Sequence, residues 1–270
     1  MQRARQVLAS VMDLSDENLV TVEFISRRQR EVCFKMRHMN NGFPQDSGPL
    51  YAETQMRLQS REPGFWFEPF NTWSNLLFLP VLLIFSWRLL RARRKPPLFL
   101  LCLPLLAGGF IGGVLYHGMR SWDVWYYLDF VPILVISQVV AFYFWYRSGK
   151  VVTGVFLMLV VQALFLTVKW WLPAGSPVQG TLFYVPLALN VLIAALVFSR
   201  HPDFRRLPFL ISGVLIAIAL FFRQIDLRAG EIFPWGTHFL WHIFGALSTY
   251  FLCEVLWRLE SRREPKAQSS

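Results

Sequence analysis

Apolar residues run along the chain in seven long stretches, separated by polar segments of only a few residues. Each stretch is long enough, at about 20 residues, to cross a lipid bilayer as a helix. Because a helix satisfies its own backbone hydrogen bonds, the pattern predicts an all-α integral membrane protein, a seven-transmembrane helix bundle. The predicted spans are 71–91, 96–118, 122–147, 151–171, 176–200, 206–226 and 236–258.

The two ends of the chain lie outside this pattern. Residues 1–63 mix acidic and basic side chains without the apolar core of a signal peptide, which predicts an extramembrane segment, either a short cap or a loose extension. Residues 64–260 form the predicted seven-span domain, and residues 261–270 form a cytoplasmic tail.

The charge distribution supports the membrane assignment. Charged residues make up 16% of the chain, against roughly a quarter in soluble domains. The net charge of +10 comes from positive residues in alternate loops and the tail, which predicts a cytoplasmic C terminus and an N terminus outside. Because the positive charge is explained by membrane topology, we expect no nucleic-acid partner. The short chain without sorting signals favours a bacterial inner membrane. The loop residues are Arg88, Arg91, Arg93, Arg94, Lys95, Arg147, Lys150, Arg200, Arg205 and Arg206.

Three histidines and one aspartate are predicted to share a depth in the bilayer. His238 and His242, four residues apart, lie on one face of the seventh span. His117 ends the second span, and Asp129 lies two turns into the third, so the predicted topology places all four on the outer side. Ionisable residues inside a membrane are costly to bury, which makes them candidates for function.

This set of residues suits a zinc site. Three neutral imidazoles hold Zn²⁺ and leave a fourth position for water, whose pKa the metal lowers toward neutrality. Asp129 is then the predicted general base, which accepts the water's proton and passes it to a leaving group. Two alternatives stay open. The histidine pair could be satisfied in a core without metal, or Asp129 could pair with Arg120 or orient a histidine.

Four sequence blocks resemble the alkaline ceramidase family of the CREST superfamily, which also contains the adiponectin and progestin receptors. The stretch EPFNTWSN, residues 68–75, is similar to the family's Glu-x-x-Asn-Thr-x-Ser-Asn at the opening of the first span. His117, Asp129 and the pair His238-x-x-x-His242 match the order and placement of the other family motifs. The resemblance extends over residues 50–258.

The resemblance implies a zinc-dependent hydrolase that cleaves an amide bond of a ceramide-like or other acyl lipid. It makes His117, His238 and His242 the zinc ligands and Asp129 the acidic residue at the zinc-bound water. Ester or phosphodiester cleavage needs the same water and stays open. A receptor-like or signalling protein with a structural zinc and little turnover is the main alternative. A proton or solute transporter is less favoured, because the sequence has no inverted repeat of broken spans.

The resemblance also implies a calcium site. Family members bind calcium through acidic residues of the N-terminal segment and a glutamate at the place of Glu68, and Glu53 matches one such ligand. Leu50 stands where the family has an aspartate, which weakens this implication. Glu68 and Asn71 have alternative roles, in which they cap the first helix or bond to its neighbours.

Gly113 is a second departure from the family pattern. The family has a serine at this place, one helical turn before the first histidine, where it helps to hold the oxyanion. One oxyanion donor contributes on the order of 3 kcal/mol, and Tyr116 and Ser121 are the candidate replacements. Glycines 108, 109, 112 and 113 also favour close approach of the second span to a neighbour.

The remaining intramembrane polar residues are predicted to be structural. Arg223 and Asp226 are three residues apart on one helix and are expected to pair with each other. Gln138, Gln162 and Asn190 are expected to form hydrogen bonds across helices.

Overall fold

A computed structural model describes residues 46–60, 66–172 and 177–261. The chain divides into two units, residues 1–44 and 45–270, and all described residues belong to the second. Most of the predicted N-terminal segment and of the predicted tail lies outside the described residues.

The described part of the chain is built from helices and contains no strand. The helices are α1 (Ala52–Ser60), α2 (Pro69–Asn75), α3 (Phe78–Arg91), α4 (Pro97–Met119), α5 (Asp123–Arg147), α6 (Val151–Trp171), α7 (Pro177–Leu182), α8 (Val185–Phe198), α9 (Arg206–Ala229) and α10 (His238–Ser261).

Seven helical stretches in the described residues are long and apolar enough to cross a membrane, which confirms the predicted bundle. The helices α2 and α3 together form the first span, Pro69–Arg91, and α8 lies in the fifth, Gly180–Phe198. The other five spans are α4, α5, α6, α9 and α10. The side of the membrane that each helix end faces stays a prediction.

The apolar core and the histidines occupy opposite ends of the bundle. The core includes Phe144 near the end of α5 and Leu259 near the end of α10, both at most 1% exposed. His117 instead lies near the end of α4, and His238 begins α10. Packing at one end therefore stabilises the bundle, while the other end contains buried polar groups that need partners.

One predicted contact between spans is confirmed. Asn190 Nδ2 on α8 donates to Gln138 Oε1 on α5 at 3.3 Å. Gln162 Oε1 on α6, by contrast, makes no hydrogen bond to any described residue.

The helices α4 and α5 approach each other closely at glycines, as predicted. A Cβ atom on Gly112 would lie 2.5 Å from the backbone nitrogen of Asp129 and 2.7 Å from the carbonyl oxygen of Leu128. A Cβ on Gly109 would lie 3.4 Å from Cβ of Pro132. Because backbone atoms cannot move aside as a flexible side chain can, Gly112 sets the distance between the helix that presents His117 and the helix that presents Asp129.

We expect the substitution Gly112→Ala to destabilise the protein by about 1–3 kcal/mol, the usual cost of forcing extra volume into a packed contact. Gly213→Ala on α9 is the matched control, because a Cβ there would have no described neighbour within 4 Å. Alanine also favours a helix more than glycine does. The measurement is the thermal unfolding midpoint of each purified variant in the same detergent. Equal midpoints for the two variants would contradict the close contact.

Candidate metal centre

Three imidazoles converge at one end of the bundle. His117, His238 and His242 each offer one ring nitrogen, and these three atoms lie within 4.8 Å of one another. All three residues are at most 3% exposed, and their ring centroids are 4.7 to 5.3 Å apart. The prediction that the second and seventh spans bring these residues together is confirmed.

Asp226 on α9 fixes the start of the helix that supplies two of the histidines. Its Oδ1 accepts the backbone N–H groups of Thr237 at 2.7 Å and His238 at 2.8 Å. Its Oδ2 accepts the N–H of Ala52 at the start of α1, at 2.9 Å. A carboxylate at a helix N terminus is stabilising, because the first N–H groups of a helix have no partner within it. The predicted pairing of Asp226 with Arg223 is therefore wrong.

His117 is oriented by a buried carboxylate. Its Nδ1 lies 2.5 Å from Glu68 Oε2, and both side chains are fully buried. Because Glu68 can only accept at this oxygen when ionised, Nδ1 of His117 carries the hydrogen. The lone pair is then on Nε2, which is buried without a partner among the described residues. This carboxylate–histidine arrangement is typical of metal ligands.

His242 is oriented by a hydroxyl group from α2. Ser74 Oγ donates its single hydrogen to the carbonyl of Asn71 at 3.0 Å and lies 2.8 Å from His242 Nδ1. Asn75 Nδ2 lies 3.4 Å from the same ring nitrogen, so two polar groups from α2 orient the ring of His242.

His238 is held by stacking rather than by a polar group on its ring. The ring of Tyr51 lies 3.8 Å from it, centroid to centroid, at an interplanar angle of 22°. His238 Nδ1 is buried and has no hydrogen-bond partner among the described residues. Burial raises the pKa of Tyr51 to about 12, which keeps its hydroxyl neutral and able to donate at ordinary pH.

Glu68 belongs to a buried ionic network. Its Oε1 accepts from Arg120 Nη1 at 3.0 Å and from Thr54 Oγ1 at 2.5 Å. Arg120 also binds both carboxylate oxygens of Asp46, each at 2.9 Å. Burial alone would raise the pKa of Glu68, but the charge of Arg120 and the hydrogen bonds from His117 and Thr54 oppose this effect and hold it at about 2. Glu68 is therefore ionised throughout the ordinary pH range.

Arg120 adopts a backbone conformation that arginine rarely takes. It ends α4 with φ 49° and ψ 38°, in the left-handed region, where a non-glycine residue costs on the order of 1 kcal/mol or more. Its contacts with Glu68 and Asp46 account for this strain. The alternative in which Arg120 pairs with Asp129 is wrong, since its guanidinium binds these two carboxylates and the carbonyl of Pro49.

Glu53 caps the first span. It is fully buried and accepts the N–H groups of Phe70 at 2.7 Å and Asn71 at 2.9 Å, so a side chain from α1 closes the start of α2. Burial raises the pKa of Glu53 to about 8, and the two N–H groups oppose that shift. The alternative in which Glu68 caps this helix is wrong, because its side chain makes no capping hydrogen bond and Glu53 does so instead.

Calcium binding stays a prediction. Among the described residues, the geometry suited to a metal converges on the three histidines and not on the acidic residues. Glu68 Oε2 accepts from Asn71 Nδ2 at 3.0 Å as well as from His117. Asn71 Oδ1 is buried without a described partner, which leaves one neutral oxygen for a cation.

Asp129 lies beside the histidines without joining the three-ligand set. Its Oδ1 and Asn75 Oδ1 each lie 2.7 Å from the position that a Cβ on Gly113 would take. Gly113 and His117 are one helical turn apart and share a face of α4. The carboxylate also interacts electrostatically with His117 and Arg223. The space that a side chain at position 113 would take is therefore occupied by two oxygens from α2 and α5.

The predicted replacements for that serine lie elsewhere or stay untested. The Tyr116 hydroxyl donates to the carbonyl of Pro49 at 3.5 Å, which directs it toward the segment before α1. Ser121, in the loop after α4, is half-buried, and its role stays a prediction.

Several side chains of the site were not assigned a role from the sequence. Ser74 and Asn75 belong to the EPFNTWSN block, so the resemblance marked their positions without their contacts. Tyr51 has no local signal, because its partner His238 is far away along the chain. Arg120 was expected only as an alternative partner of Asp129, and its contacts with Glu68 and Asp46 were not predicted.

Comparisons with protein-family models, curated proteins and solved structures found no match to this chain. The class of this protein is therefore described from its fold and its site alone. It is a helical protein with seven described helices able to cross a membrane and a buried three-histidine cluster able to hold a metal ion.

Proposed function

We propose that the protein is a zinc-dependent intramembrane hydrolase that cleaves an amide bond of a ceramide-like lipid, as the resemblance to alkaline ceramidases implies. One observation carries the proposal: three buried imidazoles converge, and two of their ring nitrogens have no hydrogen-bond partner among the described residues. His117 Nε2 and His238 Nδ1 are buried without described partners, and an unpaired buried nitrogen costs about 1–3 kcal/mol. A shared metal ion removes that cost, and neutral imidazole is a preferred zinc ligand.

Zinc at this site would be held by His117, His238 and His242. When bound, it supplies Lewis-acid chemistry, which polarises a carbonyl and makes water more acidic. Glu68 keeps the ring of His117 in one tautomer and orientation, and Ser74 holds the ring of His242 in place.

Asp129 moves the proton in this reaction. It accepts a proton from the attacking water as the new bond from oxygen to the carbonyl carbon forms. It then gives the proton to the amide nitrogen as the carbon–nitrogen bond breaks. One water molecule is consumed, and the products are a fatty acid and a free amine. A long acyl chain suits a site inside a seven-helix bundle, because the bilayer already solvates it.

The direct test is fatty-acid release by the purified protein in lipid nanodiscs. A ceramide, an ester with the same acyl chain and a matched phosphodiester are offered separately. We expect release from the amide and its loss after treatment with a zinc chelator. Retained zinc without turnover of any of the three lipids would favour the receptor-like alternative and contradict the proposal.

The substitution Asp129→Asn is expected to lower turnover by about 10²–10⁴-fold, the usual contribution of a positioned acid–base group. Zinc content should stay the same, because Asp129 is not one of the three converging ligands. Asp123→Asn is the matched control, since this exposed carboxylate bonds only to Ser47 in the described structure. Full turnover in Asp129→Asn would exclude Asp129 as the base.

A further inference from the structure

Arg223 is a cation within a span that the hydrolase mechanism does not use. It lies on α9, where the surrounding lipid makes an unpaired charge costly. No described carboxylate forms an ion pair with it. Asp226, one turn further along α9, is occupied by backbone N–H groups.

Aromatic rings surround the Arg223 guanidinium. Its central carbon lies 4.6 Å from the ring centroid of Tyr184, 5.5 Å from that of Trp241 and 5.8 Å from that of Tyr51. Ring faces attract a cation but do not accept its five N–H hydrogens in ordinary hydrogen bonds. Nε is buried and has no described partner. The guanidinium is therefore oriented by its neighbours and still has donors to offer.

Two of these rings, those of Tyr51 and Trp241, lie between or beside Arg223 and the histidine cluster. Tyr51 stacks on His238, and Trp241 lies on α10 between His238 and His242. The charge of Arg223 interacts with His238, His242 and Asp129. Anything bound to Arg223 would thus lie beside the candidate metal centre.

A glycine beside Arg223 leaves space next to its guanidinium. Gly180 on α7 is exposed, and a Cβ built on it would lie 3.7 Å from Arg223 Nη2, with no other described atom within 4 Å outside its chain neighbours and the backbone of its own helix. A larger side chain here would lie against the guanidinium.

We propose that Arg223 binds an oxyanion on a membrane amphiphile, next to the three histidines. A guanidinium matches the geometry of phosphate and carboxylate better than any other side chain. The aromatic rings of Tyr184, Trp241 and Tyr51 provide an apolar surface for the hydrocarbon part of the same molecule. The identity of the bound molecule rests on the proposed function. If the protein is the proposed hydrolase, the oxyanion is a phosphate on the lipid substrate or the carboxylate of the released fatty acid. The existence of the anion-binding site at Arg223 does not depend on whether the protein turns over a substrate.

The test is equilibrium binding to the full chain in detergent micelles, with three amphiphiles of equal chain length. Hexadecyl phosphate and hexadecanoate are the anions, and hexadecanol is the uncharged reference. We expect at least one anion to bind about tenfold or more tightly than the alcohol, because a hydrogen bond to a charged group contributes at least that much. The ranking of phosphate against carboxylate identifies the source of the oxyanion.

Two substitutions assign the binding to this residue. Arg223→Gln should remove the preference for anions, while Arg228→Gln, an exposed arginine on the same helix, should preserve it. Gly180→Val keeps the charge but fills the space beside Nη2, so it should weaken anion binding even if Arg223→Gln fails to fold.

Equal binding of anions and alcohol, or anion binding unchanged in both Arg223→Gln and Gly180→Val, would overturn the inference. The proposed hydrolase function fails separately. Anion binding without amide cleavage contradicts the hydrolase alone, and amide cleavage without anion preference contradicts the Arg223 site alone.

Discussion

The substitution His238→Ala is expected to reduce the metal content of the purified protein from about one zinc per chain to a small fraction of that. His238 begins α10 and offers one of three nitrogens that lie within 4.8 Å of one another. Two imidazoles cannot complete the usual set of three protein ligands at a catalytic zinc site, so affinity should fall sharply. The measurement is elemental analysis after dialysis against a weak chelator.

His201→Ala is the control for this experiment. His201 lies in the turn after α8, where its ring stacks on Phe198 at 4.7 Å, and it is not part of the histidine cluster. It should retain full metal content, and both variants should elute as the same species in size-exclusion chromatography. Metal loss in both variants, or in neither, would contradict the assignment of the ligands.

Arg120→Met is expected to destabilise the protein by about 3–5 kcal/mol, the cost of leaving a buried charge without its partner. The substitution removes the cation that lies 3.0 Å from Glu68 and 2.9 Å from Asp46, with all three side chains fully buried. The exposed residue Arg228, changed in the same way, should lose less than about 1 kcal/mol.

A double variant separates the ion pair from general damage. In Arg120→Met with Glu68→Gln, no uncompensated charge remains at position 68, so the combined loss should be smaller than the sum of the single losses. The measurement is chemical unfolding of each variant in mixed micelles. Strictly additive losses would indicate that Arg120 and Glu68 do not interact.

The fold could be predicted from the sequence because its signal is long and repetitive. Each span has about 20 apolar residues, and small errors at the ends do not change the count of helices. The meeting of His117 with His238 and His242 was also predictable. Helix spacing places His238 and His242 on one face, and span order places His117 at the same end of the bundle.

The partners of these histidines could not be predicted, because they come from distant parts of the chain. Ser74 lies 168 residues from His242, and Glu68 lies 49 residues from His117. Asp226 is the instructive error. Its spacing from Arg223 suggested a local pair, but three unpaired N–H groups at the starts of α1 and α10 are better partners for a buried carboxylate.

X-ray absorption at the metal edge of the purified protein most directly tests whether the three imidazoles share one metal ion. With zinc bound, we predict about one ion per chain with three imidazole nitrogens at about 2.0–2.1 Å and one oxygen ligand. A stoichiometric metal with sulfur or only carboxylate ligands would place the ion elsewhere. Protein purified without chelators that contains no metal, and takes none up on titration with zinc, would contradict the metal centre itself.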